Sequence, residues 1–404
     1  MKKNKPVFTS EEKLNCDVLN LNLQEAKYII DSMQIHNYNC DYDETIKIYN
    51  KYSSIFSKDI FLSNKMLNEY ELATHKILLE SKPRSIMIVL TNTCDLNCIM
   101  CYQDRRNIKN ISEKLVNIVL DNLKYFEKLI WQGGEVLILP YFKNILKKTI
   151  NYPNIHQVII TNFQNVSDEI IELIARNKIE LIVSVDGTTK ETYEKIRVGA
   201  SFDKLEKNLE KLKENIIQYG NKVSLRINFV IMKDNYKEIP GIIDFAYRYN
   251  FIMVAFLRCV TEDENIKITK EYEEDVESYI KLAKEKADKY NIIVTNTFSE
   301  FNDNTCEDKV KSYIESSDKE KKGLFCHLPW YELLIQEDNT VKPHCGCVQG
   351  SPFINVDDCD NIDDLWNNAE MQKYRTKMLN SECGRSIYEC KLMLSYDTRK
   401  RFNK

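Results

Sequence analysis

Residues 93–102 of this chain read Thr93-Cys94-Asp95-Leu96-Asn97-Cys98-Ile99-Met100-Cys101-Tyr102. Three cysteines therefore fall within eight residues, at the spacing C-x3-C-x2-C. A flexible loop of this length can bring three thiolates to one corner of a metal cluster, and thiolate is the soft ligand that iron–sulfur centres and zinc prefer. Three thiols so close in sequence are poorly explained as core residues. The stretch predicts a metal centre.

The number of nearby ligands separates the two kinds of metal centre. A structural zinc site takes four protein ligands in a tetrahedral arrangement. No fourth cysteine lies close by, and the nearest histidines are His75 and His156. A four-iron cluster held by three cysteines keeps one iron open to another ligand, and an open iron is a site for chemistry. The spacing favours a catalytic cluster, with a zinc site or chance clustering of cysteines as the alternatives.

The motif resembles the signature of the radical S-adenosylmethionine (radical SAM) superfamily, which lies on the loop after the first strand of a partial α/β barrel. The resemblance implies that Cys94, Cys98 and Cys101 hold a [4Fe–4S] cluster with an open iron site. It also implies that this iron binds the amino and carboxylate groups of SAM. An electron from the cluster then cleaves SAM to methionine and a 5′-deoxyadenosyl radical. The expected fold class is α/β, with a partial (βα)6 barrel of the TIM type.

Composition limits the class of protein. Hydrophobic residues make up 43% of the 404 residues and charged residues 29%, which is typical of a soluble globular protein. The net charge is −4 and no basic run alternates with aromatic residues, so nucleic acid is not an expected partner. No apolar run approaches the ~18 residues of a membrane span. Thirteen cysteines without a secretion signal indicate metal ligation in a reducing compartment, so we expect a cytoplasmic protein without a membrane partner.

Hydrophobic periodicity divides the chain into three predicted domains. Residues 1–82 read as an N-terminal helical extension, with apolar positions at helical spacing in 21–33, 42–52 and 63–80. Residues 83–297 alternate short apolar runs with amphipathic helices, which indicates βα units and a parallel sheet. Residues 298–404 contain a second cysteine cluster after the polar run 316–323, and a small cysteine-rich α+β domain is expected there.

Six short apolar runs are predicted strands, at residues 86–90, 129–132, 157–160, 181–185, 224–231 and 253–257. Helices are predicted between them, at residues 112–126, 167–176, 203–219 and 236–248. Six strands fit the barrel that the resemblance implies. Active sites of such barrels gather at the carboxyl ends of the strands, and the cysteine loop leaves the first predicted strand at that end.

Gln132-Gly133-Gly134-Glu135 follows the second predicted strand and resembles the GGE motif of radical SAM enzymes. Two glycines allow the backbone to approach a ligand closely, and a neighbouring carboxylate can bind an amine. The resemblance implies that Gly133, Gly134 and Glu135 bind the amino group of SAM. The alternative is a plain turn between strand and helix, in which Glu135 is a carboxylate at the helix start.

The same resemblance implies further SAM contacts at the barrel mouth. A hydroxyl such as that of Ser184 suits the ribose diol of SAM, and a guanidinium such as that of Arg197 suits the SAM carboxylate. The Asp186-Gly187 pair is also a common turn, and Arg197 can equally form a surface ion pair. The implied contacts are Met100, Asn162, Ser184, Asp186 and Arg197.

The stretches around Cys326 and Cys345 resemble the SPASM extension, or its shorter twitch form, which holds an auxiliary cluster. A predicted hairpin with Asp338-Asn339 at its tip returns one cysteine towards the other, and asparagine tolerates the left-handed conformation of such a turn. A predicted helix follows at 362–375. The full seven-cysteine pattern is not met, so one auxiliary [4Fe–4S] cluster is expected, with zinc as the alternative. Its expected ligands are Cys326, Cys345, Cys383 and Cys390, with Cys347 as the chief rival.

The combined expectation is a radical SAM enzyme that removes a hydrogen atom from a peptide or a small molecule such as a natural product or sugar. The outcome would be oxidation, cross-linking or epimerisation, and in epimerisation Cys259 or a tyrosine would return the hydrogen atom. A reducing partner such as flavodoxin or ferredoxin would charge the cluster. The sequence identifies no catalytic acid, base or hydrogen donor. A non-catalytic iron–sulfur or zinc protein that binds a partner is the alternative.

Overall fold

The computed structural model describes residues 23–103, 106–221, 223–298, 327–343, 354–356 and 359–380. Its strands are β1 (Ser85–Val89), β2 (Lys128–Gln132), β3 (His156–Thr161), β4 (Ile179–Ser184), β5 (Ser224–Ile231), β6 (Met253–Arg258), β7 (Ile293–Asn296), β8 (Glu332–Ile335), β9 (Thr340–Pro343) and β10 (Ile354–Asn355). Its α-helices are α1 (Leu23–Tyr38), α2 (Tyr42–Phe56), α3 (Ile60–Ala73), α4 (Glu113–Asp121), α5 (Phe142–Thr149), α6 (Asp168–Arg176), α7 (Lys190–Ile196), α8 (Phe202–Tyr219), α9 (Ile239–Arg248), α10 (Glu273–Tyr290), α11 (Leu328–Tyr331), α12 (Ile362–Asn367) and α13 (Ala369–Leu379).

The described strands form one 10-stranded sheet in the order β10-β9-β8-β1-β2-β3-β4-β5-β6-β7. Strands β1 to β7 are parallel neighbours in chain order. Strands β7 and β10 are the two edges, so the sheet is open. The predicted α/β class and partial barrel are confirmed.

All six predicted strands are present, with ends shifted by at most two residues. Two further strands flank this set in the sheet, β7 beside β6 and β8 beside β1. Strand β8 lies parallel to β1, with Glu332 opposite Ser85, and it forms an antiparallel hairpin with β9. Asn339 at the hairpin tip has φ 62°, the left-handed conformation expected there. The division of the chain at residues 82 and 297 stays a prediction.

Successive side chains of each strand point to opposite faces of the sheet, and this gives two apolar layers. Side chains such as Ile86, Ile88 and Trp131 face outwards and are buried beneath the helices. The opposite face carries a small apolar cluster inside the barrel, composed of Met87, Ile130, Val158, Ile160 and Ile182. Strands buried on both faces read as continuous apolar runs, which is why they were recognisable in the sequence.

The N-terminal helices α1, α2 and α3 correspond to the three predicted ones. The third ends at Ala73 instead of residue 80, because His75 adopts the left-handed conformation with φ 56°. At barrel helices, Ser112 and Ser167 accept hydrogen bonds from the backbone of the first turn and so set the helix starts. No helix in the described ranges is long and apolar enough to cross a membrane.

Arg375 joins the segment after α3 to the C-terminal helices. Its side chain is fully buried. The guanidinium donates to three backbone carbonyls, from Nε to Pro329 at 3.0 Å, from Nη1 to Ile77 at 2.9 Å and from Nη2 to Trp366 at 2.8 Å. A carbonyl left buried without a donor costs about 1–3 kcal/mol. Arg375 is therefore one of several side chains that join the N-terminal and C-terminal parts of the described chain, together with Asn68 and Asn367.

We expect Arg375→Leu to lower the free energy of unfolding by about 3 kcal/mol or more, because two buried carbonyls and one partly buried carbonyl lose their donor. The measurement is chemical denaturation of the purified protein. Arg248→Leu is the matched control, since Arg248 forms an exposed ion pair with Glu206 and such pairs contribute about 0–1 kcal/mol. Equal losses in the two variants would contradict the bridging role of Arg375.

Candidate functional site

The cysteine loop is closed at its base by an antiparallel contact that we call the neck, formed by residues 90–92 and 109–111. Thr91 and Asn110 form a bridge, and the backbone N–H of Ile111 donates to the carbonyl of Leu90 at 2.9 Å. The Asn92 side chain accepts from the backbone N–H of Lys109 at 2.8 Å. The loop therefore leaves the carboxyl end of β1 and returns to the same place, with its three cysteines between.

The GGE segment packs directly against this neck. The backbone N–H of Gly134 donates to the Thr91 carbonyl at 2.6 Å, and that of Glu135 donates to the Thr93 carbonyl at 2.8 Å. A Cβ atom on Gly133 would lie 2.5 Å from the Thr91 oxygen, and one on Gly134 would lie 2.0 Å from the Thr93 oxygen. The two glycines thus allow a close approach of two backbones, in addition to any approach of a ligand.

The Glu135 side chain is buried among hydrogen-bond donors. Its Oε1 accepts from the backbone of Leu137 at 3.0 Å and from the Thr161 hydroxyl at 2.8 Å, and its Oε2 accepts from the backbone of Asn162 at 2.7 Å. Burial raises the pKa of Glu135 to about 7, and these three hydrogen bonds oppose the rise. The carboxylate occupies the start of a short 3₁₀ helix, Val136–Ile138, which is the geometry of the helix-start alternative.

Asn162 continues this connection to the first cysteine. Its Nδ2 donates to Asp95 Oδ1 at 2.8 Å and lies 3.8 Å from Cys94 Sγ. The backbone N–H of Leu96 also points to Cys94 Sγ, at 3.5 Å. Asn165 holds the other carboxylate oxygen of Asp95 at 2.5 Å. Asp95 was missed as a site residue, although its place directly after the first cysteine of the motif was a signal.

The opposite side of the cysteine loop is held by the segment that follows α7. The backbone N–H groups of Asn97 and Ile99 donate to the carbonyls of Val198 at 2.7 Å and Ile196 at 3.0 Å. Arg197, between these two, forms an ion pair with Asp186 at 2.6 Å and donates from Nη1 to Cys98 Sγ at 3.9 Å. The alternative of a surface ion pair for Arg197 is wrong, because Arg197 is 6% exposed and Asp186 is 0% exposed.

The two remaining implied SAM contacts lie near the same barrel mouth. Met100 is half-buried and packs in a small cluster with Ile196, Met232 and Cys259. Ser184 ends β4 and lies in register with Asn228 on β5. The structure therefore connects Glu135, Asn162, Asp186 and Arg197 to the cysteine loop by hydrogen bonds or ion pairs. It places Met100 on the loop itself.

The donor set around the thiols suits iron–sulfur ligation. Cys94 and Cys98 are half-buried; two N–H donors are directed at the sulfur of Cys94 and one N–H donor of Arg197 at the sulfur of Cys98, and such donors stabilise thiolate. Cys101 is exposed. Among the described residues, no three Cys, His, Asp or Glu side chains lie close enough to share a single metal ion. A cubane has a looser requirement, since each thiolate binds a different iron.

The expected auxiliary ligands, Cys326, Cys345, Cys347, Cys383 and Cys390, lie outside the described residues. The hairpin of β8 and β9, which lies between Cys326 and Cys345 in the sequence, is among the described residues. It contacts the segment that returns from the cysteine loop to α4. Asn339 Oδ1 accepts from the backbone N–H of Ser112 at 2.7 Å, and Lys109 Nζ lies 3.7 Å from Asp338 Oδ2. The predicted helix at 362–375 is present as α12 and α13, which meet at Asn368.

An open α/β barrel with a three-cysteine loop at the carboxyl end of its first strand has the architecture of a radical SAM domain. Residues 88–246 match the family described as Radical SAM superfamily. The chain contains a radical SAM domain.

Curated relatives match this part of the chain. The probable GTP 3′,8-cyclase of Methanococcus maripaludis (strain C5) is 24% identical over 176 residues, which cover 42% of this chain and 57% of the cyclase. The mycofactocin maturase MftC of Mycobacterium tuberculosis is 26% identical over 168 residues, covering 40% of this chain and 41% of MftC. The chain thus spans less than two thirds of the length of these relatives.

Solved structures of Streptococcus suis SuiB share the fold. SuiB bound to S-adenosylmethionine gives a TM-score of 0.58 at 18% identity, covering 92% of this chain and 85% of SuiB. SuiB bound to its precursor peptide SuiA gives 0.57 at 19% identity, covering 78% and 71%. Likeness at this level of identity concerns the fold alone.

Gly134→Ala tests the contact between the GGE segment and the neck. We expect it to destabilise the protein by about 1–3 kcal/mol and to lower iron bound on anaerobic reconstitution, because the new methyl group must displace the cysteine loop. Gly241→Ala is the matched control. Gly241 lies in helix α9, and a Cβ there would meet a side-chain atom of Thr188 at 3.1 Å instead of backbone. Normal stability and iron content in Gly134→Ala would contradict the close approach.

Proposed function

We propose that this chain is a radical SAM enzyme in which Cys94, Cys98 and Cys101 hold a [4Fe–4S] cluster with one open iron. When bound, the cluster supplies the electron that cleaves SAM, and the resulting 5′-deoxyadenosyl radical abstracts hydrogen from a substrate. The observation that carries the proposal is the closed cysteine loop, held between the GGE segment and residues 196–198 at the carboxyl end of β1.

The residues of the barrel mouth bind and orient SAM in this proposal. Gly133, Gly134 and Glu135 take the amino group. An ionised carboxylate has about four acceptor positions, and three hydrogen bonds already reach Glu135, so one position is left for an ammonium group. The other proposed contacts are Met100, Asn162, Ser184, Asp186 and Arg197.

A peptide is the favoured substrate class, and a small molecule is the second. The similarity to MftC, named as a maturase, and the fold shared with SuiB, solved with a precursor peptide, support a peptide. The similarity to a probable GTP 3′,8-cyclase supports a small molecule. A reducing partner such as flavodoxin or ferredoxin would deliver the electron. Oxidation, cross-linking and epimerisation of the substrate are all compatible with this chemistry.

The C-terminal part is proposed to hold one auxiliary [4Fe–4S] cluster. The support is the observed hairpin of β8 and β9, with Asn339 at its tip, between Cys326 and Cys345. Strand β8 pairs with β1, so this region is attached to the strand that carries the cysteine loop. Cys383 and Cys390 are the other proposed ligands, with Cys347 as the rival.

The central prediction concerns Cys98. Anaerobically reconstituted protein with dithionite and SAM should release 5′-deoxyadenosine, and Cys98→Ala should abolish the release because the cluster loses one of three ligands. Cys40→Ala is the matched control, since Cys40 follows α1 in the N-terminal helices and should leave the release unchanged. Undiminished release from Cys98→Ala would refute the cluster assignment. Absence of iron from the wild type would favour a non-catalytic protein.

A second prediction concerns the auxiliary cluster. The variant Cys94→Ala/Cys98→Ala/Cys101→Ala should keep about four iron and four sulfide per chain, because the distal cysteines still hold one cubane. Metal and sulfide analysis after reconstitution gives the count. Zinc in place of iron would contradict the auxiliary cluster and favour a structural metal site.

A further inference from the structure

Three side chains form a line from the carboxyl end of β4 to the cysteine loop. The Asp186 carboxylate lies 2.6 Å from Arg197 Nη2, and Arg197 Nη1 lies 3.9 Å from Cys98 Sγ. Asp186 is 0% exposed and Arg197 is 6% exposed, so water screens these charges weakly. One guanidinium thus contacts both a carboxylate and a sulfur of the cysteine motif.

The surrounding backbone keeps this line in place. Asp186 Oδ1 accepts from the backbone N–H of Val230 at 2.7 Å, and the carbonyl of Asp186 accepts from Asn235 Nδ2 at 3.0 Å. The backbone N–H of Arg197 donates to the carbonyl of Tyr193 at 2.8 Å, at the end of α7. The residues on either side of Arg197 bond the cysteine loop through their carbonyls. The backbone of Arg197 is therefore fixed against the cysteine loop, and the ion pair with Asp186 holds the guanidinium beside Cys98.

Charge and hydrogen bonds near the sulfurs set the reduction potential of an iron–sulfur cluster. A cation beside one thiolate stabilises the added electron, and an anion behind that cation cancels part of the effect. We infer that Arg197 raises, and Asp186 lowers, the reduction potential of the cluster that Cys98 holds. The inference rests on the proposed function, because it requires a cluster at Cys94, Cys98 and Cys101. It assigns Arg197 and Asp186 a role beyond contact with SAM.

The test is a redox titration of the full-length, anaerobically reconstituted protein, followed by the electron paramagnetic resonance signal of the reduced cluster. The signal to follow is the one that disappears in Cys94→Ala/Cys98→Ala/Cys101→Ala. SAM is left out, so a change in SAM binding cannot move the potential. Arg197→Gln should shift the midpoint to more negative values. Asp186→Asn should shift it to more positive values, because Arg197 keeps its full charge.

Shifts of the midpoint potential in opposite directions are the decisive result, because general damage to the site would not raise the potential of one variant and lower that of the other. Arg197→Lys keeps the positive charge and should remain closer to the wild type than Arg197→Gln. Arg248→Gln is the matched control and should leave the midpoint unchanged, because the Arg248 side chain is 63% exposed and pairs with Glu206. Melting curves and iron content are measured on every sample.

Unchanged midpoints, or shifts in the same direction, would overturn the inference. Loss of iron in both Arg197→Gln and Arg197→Lys would also overturn it, because Arg197 would then serve assembly of the cluster. A wild type without any iron at the three cysteines is a different result, and it refutes the proposed function itself. The failure of the inference and the failure of the proposed function are therefore distinguishable.

Discussion

The contact between the neck of the cysteine loop and the backbone of Gly133-Gly134 is the constraint on which the candidate site depends. Two backbone segments approach so closely that neither glycine can carry a Cβ atom without moving the loop. The carbonyl of Thr91 accepts from Gly134, and that of Thr93 accepts from Glu135. The base of the cysteine loop is therefore positioned against the end of β2, before any metal or ligand binds. Such preorganisation is what a metal site on a long loop needs.

Strand β1 carries this loop and is held at its start and along both of its edges. Its start follows Arg84, whose buried guanidinium pairs with Glu69 of α3 and with Glu127 before β2. Buried ion pairs contribute little net stability but fix one arrangement, since a broken pair leaves a charge without compensation. Its two edges pair with β2 and β8. The barrel and the C-terminal hairpin thus pair with the strand that leads to the cysteines, and the N-terminal helices contact Arg84 directly before it.

The sequence predicted what depends on local pattern. Continuous apolar runs marked the six strands, and cysteine spacing marked the loop. Strand β7 was missed because it is short and half-exposed, ending in Thr295 and Asn296. The pairing of β8 with β1 joins residues 247 positions apart, as in the contact of Ser85 with Glu332, and periodicity carries no information on such distances. Two of the three hydrogen bonds to Glu135 were hidden for the same reason, since Thr161 and Asn162 lie at the end of another strand.

The three cysteines of the motif have different surroundings. Cys94 receives neutral donors from Leu96 and Asn162, Cys98 lies beside the Arg197 cation, and Cys101 is exposed. A donor that carries a full charge acts more strongly than a neutral one, and burial reduces the screening of that charge. Added negative charge on a group held by these thiols would therefore be stabilised most on the side of Cys98. The segment that supplies this cation also bonds the loop backbone, so the same few residues fix both the position and the electrostatics of the thiols.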